Sequence, residues 1–199
     1  MPNYAWMYRL GLTPWERYGR ESAASFAETF DGVSTGRPSP PGRALDLGCG
    51  RGLFTPELAR RGWETVGIDL VPRAIEAAKQ QGDESIQYVV GDVTELSTLS
   101  LGTFDLFVDI GCFQGLDERQ RRAMGSGVSV LANPSAVLLL LAFGPTRLRS
   151  SIGGVSRDEV DAAFSDWETL DVWPAPTAGL GWPMNRTSPQ WYRMAYAPE

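Results

Sequence analysis

From residue 43 onward, short apolar runs alternate with segments bounded by helix start and stop signals. The runs at 44–47, 64–68, 86–90, Phe104–Ile110 and 136–142 read as strands. The last is apolar throughout and is placed at the centre of a sheet. Between them lie predicted helices. One spans 53–61 and stops at Gly62; another runs from Pro72 to a stop at Gly82. Capping boxes at Asp117-Glu118-Arg119-Gln120 and Ser156-Arg157-Asp158-Glu159 open helices reaching about residues 131 and 164. Two final strands, 169–173 and 191–196, follow with no helix between them. The alternation predicts an α/β fold with helices on both faces of a mostly parallel seven-stranded sheet, closed by an antiparallel last strand. Ligands of such sheets bind at the carboxyl ends of the strands.

The first 42 residues read differently. Tyr4, Trp6, Met7, Tyr8 and Leu10 make the terminus rich in aromatic and apolar side chains. Thr13-Pro14-Trp15-Glu16 has the form of a helix start, with a cap, a first-turn proline and a capping-box acid. The predicted helix reaches about residue 29, with Tyr18, Ser22, Phe26 and Phe30 on one face. Residues 31–42, rich in Gly, Pro and Ser, read as a linker. Two units follow: an N-terminal cap at 1–42 and a main domain at 43–199.

The whole chain has 199 residues, 43% hydrophobic and 21% charged, which fits one globular domain. Its net charge of −6 argues against a nucleic-acid partner. The basic clusters Arg119-Gln120-Arg121-Arg122 and Arg147-Leu148-Arg149 read as solvated faces. No apolar run approaches a membrane span, and the start lacks a signal-peptide pattern, so a cytoplasmic protein without a membrane partner is expected. Only two cysteines occur, Cys49 and Cys112, and no disulfide or metal site is expected from them. There is no histidine, so the commonest general base at neutral pH is missing.

The candidate chemistry centres on Ala44-Leu45-Asp46-Leu47-Gly48-Cys49-Gly50-Arg51-Gly52. Glycine at every second position suits a tight turn and close approach to a ligand. The order D-x-G-x-G-x-G differs from the dinucleotide G-x-G-x-x-G. Asp46 ahead of the first glycine favours a ligand bearing positive charge. Asp69 ends the second strand, 23 residues after Asp46, where an acid suits the hydroxyls of a ribose. It would equally suit the ribose of NAD. Gly91-Asp92-Val93 follows the third strand and also reads as a simple turn. Asp109-Ile110-Gly111-Cys112-Phe113-Gln114 leaves the fourth strand. A second flexible cover spans 174–189, with Trp182, Met184, Asn185 and Arg186.

The motif around Asp46 resembles motif I of the class I S-adenosylmethionine-dependent methyltransferases, and the likeness extends over about 42–142. The resemblance implies that Asp46, Gly48, Cys49, Gly50 and Gly52 line the amino-acid end of the cofactor. It implies that Asp69 and Leu70 meet the ribose, Asp92 and Val93 the adenine, and Asp109 and Ile110 the methyl-bearing end. The fourth-strand exit resembles D-x-G-C-F-H of methyltransferases related to the thiopurine and tellurite enzymes, with Gln114 where histidine is frequent. The resemblance makes Gln114 and Asp109 the candidates for catalysis. Trp15, Tyr18, Phe113, Gln114 and Trp182 are candidates for an apolar or heteroaromatic acceptor pocket. The implied activity is methyl transfer to a small molecule, with S-adenosylmethionine consumed to S-adenosylhomocysteine by a monomer or homodimer. A non-catalytic binding protein and an NAD-dependent oxidoreductase are the alternatives, although no Tyr-x-x-x-Lys pair supports the second.

Overall fold

The computed structural model describes residues 14–81, 83–144, 154–182 and 184–198. The N-terminal aromatics Tyr4, Trp6 and Tyr8, the proposed cap Thr13, the helix stop Gly82 and the cluster at 147–149 lie outside the described residues. Seven strands form one sheet: β1 Arg43–Leu47, β2 Glu64–Asp69, β3 Gln87–Val90, β4 Phe104–Ile110, β5 Ala132–Phe143, β6 Trp167–Pro174 and β7 Pro189–Tyr196. Their order is β3-β2-β1-β4-β5-β7-β6. The first five strands pair in parallel, and β7 runs antiparallel to both β5 and β6. The expected sheet and its reversed last strand are therefore present.

Period-two alternation divides the core between the two faces. In β5, Leu138 and Leu140 point to one side and Leu139 and Leu141 to the other, and all four are buried. Three helices are α1 Pro14–Glu21, α2 Ala23–Ser34 and α3 Thr55–Ala59. Three more are α4 Pro72–Lys79, α5 Glu118–Val130 and α6 Arg157–Ala163. Met124 and Val128 of α5 and Val160 of α6 pack with Leu45, Phe107 and Leu138. Phe26, Phe30 and Val33 of α2 pack with Leu106, Val108, Leu139, Leu141 and Trp191 on the opposite face. Both capping boxes form, with Asp117 accepting from Gln120 N at 2.9 Å and Ser156 Oγ from Glu159 N at 3.3 Å.

The N-terminal piece departs from its predicted form. The single helix over 13–29 is broken at Ser22, whose backbone leaves helical geometry (φ −102°, ψ 9°). The Ser22 hydroxyl donates to Ala178 O at 3.0 Å, a carbonyl in the second cover. The expected linker is also shorter, because 31–34 are the last residues of α2. The break sends the two helices to different places. Helix α2 covers the sheet, and α1 lies over the carboxyl ends of the strands.

Candidate active site

The loop after β1 puts glycine where only glycine is comfortable. Gly48, Gly50 and Gly52 have φ of +69°, +57° and +73°, in the left-handed region. A Cβ on Gly48 would sit 2.6 Å from Cys112 Cβ, and one on Gly52 would sit 2.5 Å from the Tyr88 hydroxyl. The loop is tied to β2 at two points. Cys49 N donates to Ile68 O at 2.9 Å, and Gly50 N to Asp69 Oδ2 at 2.9 Å.

Three buried carboxylates end neighbouring strands around this loop. Asp46 accepts from Thr55 Oγ1 at 2.7 Å, and burial pushes its carboxyl up to about 7. Asp69 accepts from Gly50 N and, at 2.8 Å, from Val71 N; burial raises it as well. Asp109 accepts from Cys112 N and Phe113 N, each at 3.0 Å, and burial pushes it up to about 7. Among the described residues, none of the three has an ion-pair partner. Each of these negative charges opposes ionisation of its neighbours, Asp69 acting on Asp46 and Asp46 on Asp109. Asp92, on the neighbouring exit from β3, spends Oδ1 on Thr94 N and Thr94 Oγ1, both at 2.8 Å.

The other candidates fall into two groups. Leu70 stands 64% exposed beside Asp69, and Ile110 and Gln114 are half-buried at the exit of β4. Gln114 Oε1 accepts from Phe143 N at 3.3 Å, and its Nε2 has no partner among the described residues. Cys49 and Val93 are buried, and burial pushes the Cys49 thiol up. Phe113, a candidate for the acceptor pocket, is a core residue. It is fully buried against Phe164, with ring centroids 5.4 Å apart. Tyr18 is likewise core, packed edge-on to Phe26 with its hydroxyl donating to Pro176 O at 2.8 Å. Trp15 meets Val71 and Ala74 at the start of α4, on the Asp69 side, away from the β4 exit. Trp182 is 77% exposed on the second cover. Asp109 is closed off from solvent, with both oxygens accepting from loop amides.

Helix α1 is seated directly on the glycine loop, and sequence reasoning missed the residues that seat it. Glu16 reaches Arg51 at 3.3 Å. A Cβ on Gly19 would lie 2.4 Å from Leu53 Cδ2, so glycine lets the helix descend onto the turn between Gly52 and α3. The two covers are also joined to each other. Tyr18 and Ser22 donate to the carbonyls of Pro176 and Ala178, and Gly179 (φ +83°) lies against the Tyr18 backbone. The spacing x-x-Glu16-x-x-Gly19 carried no signal, because its meaning depends on a partner more than 30 residues away.

A family model described as a methyltransferase domain matches residues 44–134, which hold the glycine loop, all four acids and the β4 exit. This stretch, a little under half of the chain, is similar to methyltransferase domains. The chain is 28% identical over 137 residues to the 2-heptyl-1-hydroxyquinolin-4(1H)-one methyltransferase of Mycobacteroides abscessus. That match covers 65% of this chain and 60% of the relative, so the chain spans about three fifths of the relative's length. Among the solved structures that share its fold are two methyltransferases. One is the 1,6-didemethyltoxoflavin-N1-methyltransferase of Burkholderia thailandensis, with bound 1,6-didemethyltoxoflavin and S-adenosylhomocysteine. Its TM-score is 0.74 at 18% identity, over 98% of this chain and 86% of that one. The other is a TehB-like methyltransferase of Corynebacterium glutamicum, with a TM-score of 0.68 at 21% identity over 99% and 100%. The relation is to methyltransferases, and the dinucleotide oxidoreductase alternative is set aside.

Proposed function

We propose that this protein transfers the methyl group of S-adenosylmethionine to a small apolar or heteroaromatic acceptor, at oxygen, nitrogen or sulfur, without a histidine base. One observation carries the reading. Asp46, Asp69 and Asp109 gather without a cationic partner among the described residues, around a loop whose three glycines all have positive φ. Uncompensated buried acids cost stability unless a cation joins them. A ligand with an ammonium and a sulfonium fits that field, and a pyrophosphate opposes it.

The residues divide the ligand by chemistry. Gly48, Gly50 and Gly52 admit its amino-acid end, and Asp46 acts from behind the loop through its charge. Asp69 has spent one acceptor site on each oxygen, and the remaining lone pairs face the ribose hydroxyls. Exposed Leu70 offers an apolar face beside them. Asp92, whose Oδ2 has no hydrogen bond among the described residues, and the backbone at Val93 serve the adenine edge. When bound, S-adenosylmethionine supplies a methyl group already activated by the positive charge on its sulfur. The protein then has to hold the acceptor in line and exclude water, which can remove roughly 7–11 kcal/mol of barrier.

With no histidine and with Asp109 sequestered, the acceptor must arrive ionised or be a soft nucleophile. The hydroxyquinolinone in the name of the Mycobacteroides abscessus relative supports an acidic hydroxyl on a heteroaromatic ring. We place Gln114 and Trp182 beside that ring. The test is formation of S-adenosylhomocysteine with a panel of 1-hydroxyquinolin-4-ones, nitrophenols, aryl thiols and unactivated alcohols. Turnover should follow the fraction of acceptor already ionised. Turnover of the alcohols alone would overturn the base-free mechanism, and binding without any turnover would favour a non-catalytic role.

A further inference from the structure

The loop between β4 and α5 is held by two opposite charges, one on each side. Asp109 takes the N–H groups of Cys112 and Phe113. Arg121, in α5, takes the carbonyls. Its Nε donates to Phe113 O at 3.2 Å, and one terminal nitrogen donates to Gln114 O at 3.3 Å. The other terminal nitrogen meets Glu159 Oε1 at 3.1 Å, and the guanidinium lies 5.2 Å from the Phe113 ring centroid. Arg121 is only 7% exposed, whereas the sequence pattern makes it part of a solvated basic run. Helical side chains lean toward the N-terminus of their helix, so a residue in the first turn of α5 reaches back over the loop before it.

This clamp fixes main-chain atoms and leaves the Gln114 amide nitrogen without a hydrogen bond among the described residues. Gln114 Oε1 is held by Phe143 N at the end of β5, and Nε2 lies 3.8 Å from where a Gly111 Cβ would stand. Glu159 carries the other end of the clamp. Its second oxygen accepts from Ser156 N and Oγ, so the start of α6 is fastened to the same arginine. A planar fork with several donors can hold two carbonyls and a carboxylate together, and a lysine ammonium cannot match that geometry.

We propose that Arg121 is a positioning residue for methyl transfer, setting the direction of the Gln114 amide toward the acceptor through the Phe113 and Gln114 carbonyls. The proposal rests on the methyl-transfer reading above, and its test separates the two. Four proteins are compared: wild type, Gln114→Ala, Arg121→Met and the double variant, with Arg121→Lys as a milder substitute should the methionine variant not fold. Hydrogen exchange is read with S-adenosylhomocysteine bound, and acceptor kcat/KM with the best acceptor of the panel. Arg121→Met, or Arg121→Lys in its place, should speed exchange at residues 112–116 and leave S-adenosylhomocysteine affinity within about twofold. It should lower acceptor kcat/KM by about 10- to 100-fold, the scale expected of a small misplacement. The double variant should then be no worse than the poorer single variant, since both act through one group. Multiplying losses in the double variant, or unchanged exchange in the 112–116 loop, would overturn the proposal. Exchange is read without turnover, so it decides the clamp even if the panel yields no acceptor.

Discussion

Asp69 joins two tasks, and alanine in its place removes both. It anchors the glycine loop through Gly50 N and the start of α4 through Val71 N, and its remaining lone pairs are assigned to the ribose. Asp69→Ala should lower S-adenosylhomocysteine affinity about a hundredfold, from two lost charge-assisted hydrogen bonds worth on the order of 3 kcal/mol. Calorimetry checks this, and an unchanged affinity would restrict Asp69 to the anchor. Asp46 and Asp109 predict a pH dependence. Their folded carboxyls sit near 7, above the unfolded value of 3.8, so the folded state holds more protons between those limits. Stability should therefore fall as pH rises from about 4 to 7 and level off above. A cationic ligand favours the ionised acids, so S-adenosylmethionine should bind about tenfold more tightly at pH 8 than at pH 6, with proton release. Calorimetry in buffers of different ionisation enthalpy reads both quantities. Asp46→Asn should raise the melting temperature by several degrees at pH 8 while weakening S-adenosylmethionine binding. These acids and glycines were legible in the sequence because the loop chemistry demands fixed residue types at strand ends. Arg121 was not, since its partners are 7, 8 and 38 residues away and its neighbours in sequence are polar.

Among the elements, α1 approaches the glycine loop closely at Gly19. Gly19 lets it touch Leu53 and Phe54, while Glu16 and Trp15 hold it to Arg51 and to Val71 and Ala74. Gly19→Ala should lift the helix from the loop and weaken S-adenosylhomocysteine binding by about tenfold. The melting temperature should change by only a few degrees, because Tyr18, the side chain α1 gives to the core, stays in place. Binding measured by calorimetry beside thermal unfolding tests this, and equal affinity would make α1 a passive cover. The helix itself was readable from Pro14 and Glu16. Its break at Ser22 was not, because the hydroxyl's partner Ala178 belongs to a distant segment. The same docking buries Tyr18, and packing against Phe164 buries Phe113; sequence spacing alone could not separate either from ligand-facing aromatics.

On the scale of the molecule, the sheet was almost wholly legible. Every predicted strand is present, with ends moved by a few residues, because buried parallel strands must be continuous apolar runs. The boundary at residue 42 coincides with no break in packing. Phe26, Phe30 and Val33 cover one face of β4 and β5, so α2 is part of the core that supports the site. Removal of residues 1–21 should leave a folded sheet with impaired transfer, whereas removal of 1–34 should unfold the chain by exposing that face. Circular dichroism separates the two truncations, and a folded 35–199 fragment would refute the assignment of α2 to the core.

We infer that the glycine loop and its three acids form a cradle for S-adenosylmethionine. It is tested most directly by calorimetric titration of wild-type protein with S-adenosylmethionine and, separately, NAD. Stoichiometric binding of S-adenosylmethionine with proton release near neutral pH is expected, with a loss of about a hundredfold in affinity for Asp69→Ala and no measurable heat from NAD. Binding of NAD alone, or S-adenosylmethionine binding indifferent to both pH and Asp69, would contradict it.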